Sequence, residues 1–141
     1  MAHLMQLEIV TPDKSLLNRD DVSYVLVETT IGGVGFLAHH APLIGTLREG
    51  VLKFRDEKEV DHFLFVDGGF VEVKNNKVTV LCTAAEFAED IDVEKAKRNM
   101  ARAEASLANI EPTTDVNLVA RNLRRAKARI KTAEQARKVG A

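Results

Sequence analysis

The chain has 141 residues, with 20 basic and 21 acidic side chains, a net charge of −1 and 45% hydrophobic residues. This composition is typical of a folded domain, and it argues against a disordered chain or a general nucleic-acid or membrane-surface binder, which would carry a net positive charge. The one cysteine, Cys82, cannot form an internal disulfide, which favours a reducing compartment. No signal peptide and no membrane-spanning segment is predicted.

The two parts of the chain differ in composition. All seven aromatic side chains lie within residues 1–88, which carry 8 basic and 13 acidic side chains, a net charge of −5. Residues 89–141 are rich in alanine and carry 12 basic and 8 acidic side chains, a net charge of +4. A change of this kind marks a domain boundary, so we predict one domain over residues 1–88 and a second over residues 89–141.

Residues 1–88 are predicted to form strands. Apolar and polar residues alternate around Met5, Leu7 and Ile9, which is the period-two pattern of a half-buried strand. Further apolar, β-branched segments separated by turn-forming residues follow at 22–28, 51–55, 60–66, 70–73 and 78–82. Short strands without intervening helices predict a β-sandwich or flattened barrel, because two packed sheets bury the apolar faces that one sheet would expose.

The period changes in the second domain. Apolar residues are spaced three and four apart over 93–110 and again over 116–133, with a proline-containing link between the two segments. This spacing predicts an antiparallel helical hairpin, with Asp92 as the N-cap of its first helix and Thr114 or Asp115 as the N-cap of its second. The fold class is therefore α+β. Because alanine dominates the seam, and apolar burial contributes only about 25 cal/mol per Å², we expect the hairpin to be marginal unless it docks on another surface.

The residues alone predict no catalytic constellation and no metal site. The run Gly32-Gly33-Val34-Gly35 lacks the lysine of a phosphate-binding loop and is interpreted as a positive-φ hairpin turn. His39 and His40, if on a strand, would point to opposite faces with no third ligand nearby. Cys82 follows an apolar run and is expected to be buried and unreactive. An enzyme is the least supported class.

Basic residues follow one side of each predicted helix. They are Lys95, Arg98 and Arg102 on the first helix and Arg121, Arg125 and Arg129 on the second. Two such rows on adjacent helices either form a solvated surface or form a cleft that binds phosphate or an acidic protein surface, and the residues leave both interpretations open. Nucleic-acid binding by the last helix is disfavoured, because that helix has no aromatic side chains to stack on bases.

Four segments, in chain order, resemble the epsilon-subunit family of bacterial F-type ATP synthases. They are 7–13 (Leu-Glu-Ile-Val-Thr-Pro-Asp), 32–44 (Gly-x-x-Gly-Phe-Leu-x-x-His-Ala-Pro-Leu-Ile), 68–81 (Gly-Gly-Phe-Val-Glu-Val followed by Val-Thr-Val-Leu) and 85–92. The resemblance covers essentially the whole chain and implies a sandwich of about ten strands followed by a helical hairpin. Ala38 stands where the family usually has proline, which bears on the stiffness of that turn.

The resemblance implies a non-catalytic rotor subunit that couples proton translocation to ATP synthesis. Its sandwich would bind the gamma subunit and rest on the c-ring, with Gly32, Gly33, Val34 and His40 at that interface. Its hairpin could extend into the catalytic head, where basic residues meet the alpha and beta subunits and inhibit ATP hydrolysis. Membrane association would come only through the complex, as a peripheral protein on the cytoplasmic face of the bacterial cell membrane.

Some members of the family bind ATP as a regulatory ligand in the folded hairpin, and no other cofactor, metal or nucleic acid is expected. The ATP-binding residues that the resemblance implies are Glu86, Ile91, Asp92, Lys95, Ala96, Arg102, Arg125 and Arg129. Lys95 departs from the arginine of the family motif and lacks its planar, forked donor set, which predicts lower affinity or looser specificity. The alternative function is a free-standing ATP-sensing adaptor whose basic helices bind an acidic protein.

Overall fold

The computed structural model describes residues 3–140, so Met1, Ala2 and Ala141 of the two predicted domains lie outside it. Within these residues, nine strands are followed by a 3-10 turn and two long helices. The strands are β1 (Met5–Thr11), β2 (Lys14–Thr29), β3 (Gly32–Leu37), β4 (Leu43–Leu47), β5 (Gly50–Asp56), β6 (Asp61–Asp67), β7 (Gly69–Lys74), β8 (Lys77–Leu81) and β9 (Ala84–Phe87). The 3-10 turn spans Ala88–Asp90, and the helices are α1 (Val93–Ala108) and α2 (Val116–Gly140).

The strands form two layers that are joined through β2. One layer has the order β1-β8-β7-β4 and the other has the order β3-β2-β5-β6-β9. The 16-residue β2 pairs with β1 along its first part and with β3 and β5 along its second part. Because its last residue, Thr29, also pairs with Leu47 of β4, the first layer closes into a flattened barrel. Nine strands are described where the resemblance implied about ten.

The core lies between the two layers. Leu7 and Ile9 of β1 are fully buried, as the period-two pattern predicts, and they share one cluster with Phe36 and Phe54 from the opposite layer. The prediction that Cys82 is buried is confirmed. Burial, with a smaller contribution from the nearby Asp67 carboxylate, raises the pKa of the Cys82 thiol to about 11, which makes it a poor nucleophile.

The turn between β6 and β7 needs glycine. Gly68 and Gly69 have φ values of 62° and 108°, a region that L side chains rarely adopt. A Cβ on Gly69 would also overlap the backbone carbonyl of Leu81 in β8. The chain therefore enters β7 through a turn that no larger residue fits.

The helices begin where the capping residues predict. The Asp92 side chain accepts a hydrogen bond from the Lys95 backbone N–H at 3.0 Å, which confirms Asp92 as the N-cap of α1. Asp115 accepts from the Leu118 N–H at 3.1 Å, which makes it, rather than Thr114, the residue that caps α2. α1 ends at Ala108, so Ile110 is exposed in the link and does not extend the predicted seam.

The hairpin is docked on the sandwich through α2. One side of α2 packs against α1, where Ala103 and Ala126 are buried beside each other in the interhelical seam. A second side packs on the outer face of β5 and β6, where Ala128 meets Phe65. Thr132 is fully buried one turn further along and donates its hydroxyl hydrogen bond to the Ala128 carbonyl. Neither helix of the described chain combines the length and apolar character needed to cross a membrane.

Candidate functional site

Most of the predicted ATP-binding residues line two adjoining cavities beside α2. The first, of about 270 Å³, is lined by Glu86 from β9, by Asp92, Lys95 and Ala96 from the start of α1, and by Arg129 from α2. The second, of about 280 Å³, lies between the helices and is lined by Arg102, Arg125 and Arg129, among others. Because Arg129 lines both, we treat these cavities as one site and call it the hairpin groove.

Ile91 is the one predicted ATP-binding residue that does not line the hairpin groove. It is buried, in contact with Phe65 of β6 and Ala128 of α2. Its position after the 3-10 turn places the N-cap Asp92 and the first turn of α1 beside Glu86. Ile91 therefore has a structural role in this state, because it fixes where α1 begins against the sandwich.

Arg129 is held on two sides by the sandwich. Its Nε donates a hydrogen bond to Glu86 Oε1 at 2.6 Å. Its guanidinium carbon lies 4.6 Å from the ring centroid of Phe65, within the range of a cation–π interaction. The predicted arginine row is thus not a purely solvated surface, since its last member is bound to two side chains of the other domain.

Arg125 and Arg121 face a carboxylate that the sequence analysis did not include in the site. Asp67, the last residue of β6, is only 1% exposed, and its Oδ2 lies 2.8 Å from Arg125 Nη2 and 3.7 Å from Arg121 Nη2. Within the described residues, Asp67 Oδ2 and Arg125 Nε are both buried without a hydrogen-bond partner. Leaving such groups unpaired costs about 1–3 kcal/mol each. The short approach of Asp67 and Arg125 is therefore an ion pair without good hydrogen-bond geometry.

No local signal in the sequence marks Asp67 as a site residue. It precedes Gly68-Gly69 and has the composition of a turn, and its arginine partners lie more than 50 positions further along the chain. Only the docking of α2 on β6 brings them together. The spacing of Arg121, Arg125 and Arg129 placed them on one side of the helix, left a solvated surface and a binding cleft both open, and carried no information about Asp67.

The opposite flank of α2 carries two more ion pairs. Arg124 Nε lies 3.4 Å from Glu49 Oε2, and Lys131 Nζ lies 2.8 Å from Glu28 Oε1. These residues border a larger open cavity of about 610 Å³ between α2 and the outer face of β2 and β5. In the described chain, five ion pairs in all join α2 to the sandwich. The three pairs that do not involve Asp67 have both partners partly exposed and are each worth at most about 1 kcal/mol.

The residues predicted at the gamma and c-ring interface do not form one turn. The prediction that Gly32, Gly33 and Val34 form the turn is wrong, because these residues pair with β2 as the start of β3. The turn itself is Thr30 and Ile31, and the Ile31 side chain is 93% exposed at its tip. Of the three β3 residues, only the first has a positive φ, 125°. Gly32 and Gly33 line the larger cavity, whereas Val34 packs against the core.

His40 lies beyond the other end of β3. A strand rises about 3.3 Å per residue, so the six residues of β3 separate His40 from the Thr30–Ile31 turn. Its ring packs edge-on against Phe36, with 5.1 Å between centroids, and its Nδ1 lies 2.7 Å from the Ala41 carbonyl oxygen. The structure does not bring His40 together with the other three predicted interface residues. No group of three or more His, Cys, Asp or Glu within residues 3–140 could hold a metal ion.

A second surface of the sandwich exposes large apolar side chains. Ile44 of β4, Phe70 of β7 and Leu81 of β8 are 75%, 55% and 50% exposed, and Phe70 and Leu81 are directly paired across the two strands. These residues lie on the outer side of the β1-β8-β7-β4 layer, whereas α2 packs on β5 and β6 of the other layer. We call this surface the apolar face.

Comparison with known proteins identifies the fold and the family. The sequence-family model of the ATP synthase delta/epsilon chain beta-sandwich domain matches residues 4–88. The sequence-family model of the delta/epsilon chain long alpha-helix domain matches residues 89–134. The chain therefore belongs to the ATP synthase delta/epsilon chain family. This assignment confirms the resemblance that the four sequence segments carry.

Full-length relatives within the family are bacterial epsilon chains. The chain is 42% identical over 132 residues to the ATP synthase epsilon chain of Staphylococcus aureus strain JH9, in an alignment that covers 92% of this chain and 96% of the relative. The epsilon chain of Staphylococcus aureus strain Newman matches equally well. The match to bacterial epsilon chains thus extends over nearly the whole length of both proteins.

Two solved structures show the same fold at low identity. A chain in the cryo-EM structure of the Euglena gracilis mitochondrial ATP synthase, OSCP/F1/c-ring in rotational state 1, has a TM-score of 0.82 and 21% identity, covering 96% of this chain and 82% of that chain. A chain in the cryo-EM structure of the Tetrahymena thermophila mitochondrial ATP synthase central stalk and c-ring has a TM-score of 0.63 and 20% identity, covering 94% of this chain and 95% of that chain. The fold is therefore shared with chains of low sequence identity.

Proposed function

We propose that the chain is a non-catalytic subunit of the central stalk of an F-type ATP synthase. Its sandwich binds the gamma subunit and rests on the c-ring, so that rotation driven by proton translocation is transmitted to the catalytic head. Membership of the ATP synthase delta/epsilon family over nearly the full length supports this role, as do the structural neighbours, which come from F1/c-ring and central-stalk assemblies. Association with the cytoplasmic face of the bacterial membrane would be peripheral, through the complex.

The apolar face is the observation that carries the partner assignment. A pair of large apolar side chains that are at least half exposed on neighbouring strands costs solvation free energy in an isolated subunit, and such patches mark protein interfaces. Phe70 and Leu81 lie on the layer opposite the docked hairpin, so both surfaces of the sandwich are used at once. We assign the apolar face to the gamma subunit and the exposed Thr30–Ile31 turn, at one end of the sandwich, to the c-ring.

Co-purification with the gamma subunit tests this assignment. Phe70→Glu places a charge in the centre of the apolar face and should abolish recovery of the gamma subunit. Val60→Glu is the matched control, because Val60 is a similarly exposed apolar residue in the β5–β6 turn. If the wild-type chain recovers no gamma subunit, the stalk role is contradicted and the free-standing adaptor is favoured. Equal recovery of the gamma subunit with both variants would show that the gamma subunit does not bind the apolar face.

Regulation by ATP is the second part of the proposal. Lys95, Arg102 and Arg125 line the hairpin groove together with Arg129, which gives a triphosphate several cationic partners from both helices. A ligand that binds only the docked hairpin stabilises docking by RT ln(1 + [ATP]/Kd), or about 2.7 kcal/mol at a hundredfold excess. That amount is comparable to the contribution of a few of the exposed ion pairs that hold α2, so ATP could shift the docking equilibrium.

Inhibition of ATP hydrolysis would use the same arginines in the released hairpin. In the docked state Arg125 and Arg129 are occupied by Asp67 and Glu86 of the sandwich. An extended hairpin frees them for acidic segments of the alpha and beta subunits. Because one guanidinium cannot serve the sandwich and the catalytic head at once, docking and inhibition exclude each other.

An ATP titration tests the nucleotide part separately. Lys95→Arg restores a forked donor and should tighten ATP binding, whereas Arg129→Ala should weaken it severely. Lys97→Arg is the matched control for the first change, because Lys97 lies on the same helix, exposed and outside the hairpin groove. If ATP binding changes with neither Lys95→Arg nor Arg129→Ala, the groove is not the nucleotide site, and the stalk role stands on its own experiment.

A further inference from the structure

Asp67 is a buried carboxylate shared by two arginines one helical turn apart. Its Oδ2 is 2.8 Å from Arg125 Nη2 and 3.7 Å from Arg121 Nη2. The Asp67 side chain is 1% exposed, whereas the Arg121 side chain is 46% exposed and has room to move. A charge this deeply buried needs a cationic partner in every state of the docked protein, because an unpaired buried carboxylate is strongly destabilising.

The pairing of Asp67 with Arg125 is incomplete. Asp67 Oδ2 and Arg125 Nε are buried and lack a hydrogen-bond partner in the described part of the chain. Arg125 also lines the hairpin groove beside Arg102 and Arg129. A phosphate presents several acceptor oxygens that can engage two N–H groups of one guanidinium, which a carboxylate contacting Nη2 alone does not do. Arg125 therefore has more to gain from a phosphate in the groove than from Asp67.

We propose that Asp67 is an internal counter-ion that competes with the ligand of the hairpin groove for Arg125. When a polyphosphate occupies the groove, Arg125 turns to it, and Arg121 closes the remaining gap to Asp67. Asp67 thereby lowers the affinity of the groove for anions and restricts it to multiply charged phosphates, since a weakly charged anion cannot displace a buried carboxylate. The inference deepens the proposed nucleotide site and names two residues, Asp67 and Arg121, that do not line it.

The first experiment removes the internal counter-ion. Asp67→Asn keeps the shape and removes the charge, and ATP and tripolyphosphate binding are measured by calorimetry. We expect both to bind about 3- to 10-fold more tightly than to the wild type, in the lower part of the range for coupled neighbours. Glu49→Gln is the control, because it removes the charge of another α2 ion pair, with Arg124, outside the hairpin groove. It should leave the affinity within twofold.

Asp67→Asn could also release the hairpin, which would lower the apparent affinity, and amide exchange of α2 without ligand would reveal this. The second experiment therefore keeps Asp67. Arg121→Ala removes the alternative partner, so Asp67 should retain Arg125 and polyphosphates should bind about 3- to 10-fold more weakly. Arg124→Ala is the control, as an exposed α2 arginine of equal charge paired elsewhere. In the double variant Asp67→Asn/Arg121→Ala, the effect of Arg121→Ala should disappear.

Each outcome supports or refutes the competition between Asp67 and the ligand for Arg125. Suppose first that the wild type binds ATP. If Arg121→Ala then binds polyphosphates like Arg124→Ala, or if Arg121→Ala has its full effect in the Asp67→Asn background, the exchange of partners between Arg125 and Arg121 is refuted and the nucleotide site stands. If the wild type does not bind ATP but Asp67→Asn does, the proposed nucleotide function fails and the competition stands. If neither protein binds ATP or tripolyphosphate, both are wrong.

Discussion

The contacts of Arg129 with Glu86 and Phe65 predict that this side chain makes a measurable contribution to docking of the hairpin. Arg129→Met removes the charge and keeps a side chain of similar length. The change eliminates the hydrogen bond to Glu86 and the cation–π contact with the buried ring of Phe65. We expect weaker docking in the absence of any ligand, with no change in the sandwich itself.

The size of the effect follows from the exposure of the two contacts. The side chains of Arg129 and Glu86 are 28% and 34% exposed, so solvent screens their attraction and the pair contributes about 0.5–1 kcal/mol. The cation–π contact with Phe65 adds about 0.5–1 kcal/mol. The sum of about 1–2 kcal/mol corresponds to a loss of about 5- to 30-fold in the ratio of docked to released hairpin, since 1.4 kcal/mol is a factor of ten.

Native-state hydrogen exchange measures this ratio. A released hairpin of this composition frays, because most of the stability of a helix in a protein comes from packing of its apolar face, so exchange of the α2 amides reports docking. Amides of β1 serve as the internal reference, and Lys127→Met, an exposed cation in the same part of α2, is the control. A change of less than twofold in α2, or an equal acceleration in β1, would refute the view that Arg129 anchors the hairpin.

Three further changes have defined outcomes. Gly69→Ala should lower the free energy of unfolding in urea by about 1–3 kcal/mol, because the φ of 108° and the approach to the backbone of β8 leave no room for a Cβ. The hydrogen bond from His62, with backbone N–H groups, lowers the pKa of Asp56 from 3.8 to about 2. The ionised Asp56 carboxylate therefore stabilises the fold above about pH 4, and this contribution is lost as the pH falls toward 2. In Asp56→Asn, the urea midpoint of unfolding should depend less on pH over that interval. Ala128→Leu should overpack the α2 contact with β6 and release the hairpin at a cost of about 1–3 kcal/mol, measured by α2 exchange, whereas exposed Ala101→Leu should not.

The strands with regular alternation were predictable, and three others were not. The glycines of β3 (Gly32–Leu37) disfavour a strand and predict a turn. β4 (Leu43–Leu47) is interrupted by glycine and follows a proline, while β9 (Ala84–Phe87) has alanines typical of a helix. Each becomes a strand because a neighbour pairs with it: β2 for β3, β7 for β4 and β6 for β9. Pairing between distant segments overrides local propensity, and one sequence does not reveal that pairing.

The second packing face of α2 was also hidden in the sequence. Ala128, Thr132 and Ala136 follow one another at helical spacing against β5 and β6. Alanine is a strong helix former on any surface, and threonine is ordinarily polar, so neither marks burial. The heptad pattern therefore predicted the contact between the helices, including Ala126, and not the contact with the sandwich. The expectation that the hairpin needs another surface to dock on came from its low apolar content.

The chemistry of the docking surface explains why one group of arginines can serve several purposes. The sandwich surface under α2 contributes apolar contacts at Val51, Phe63 and Phe65 as well as carboxylates, and the net charges of the two parts of the chain, −5 and +4, attract each other. A soluble anion does not compete with the buried apolar part of this contact, since apolar burial is non-directional and takes no account of charge. Partly exposed ion pairs are each weak and each replaceable by another anion of suitable geometry. Asp67, Glu86, a bound polyphosphate and an acidic partner surface therefore compete for the same guanidinium groups, and the position of the hairpin follows from which of them prevails.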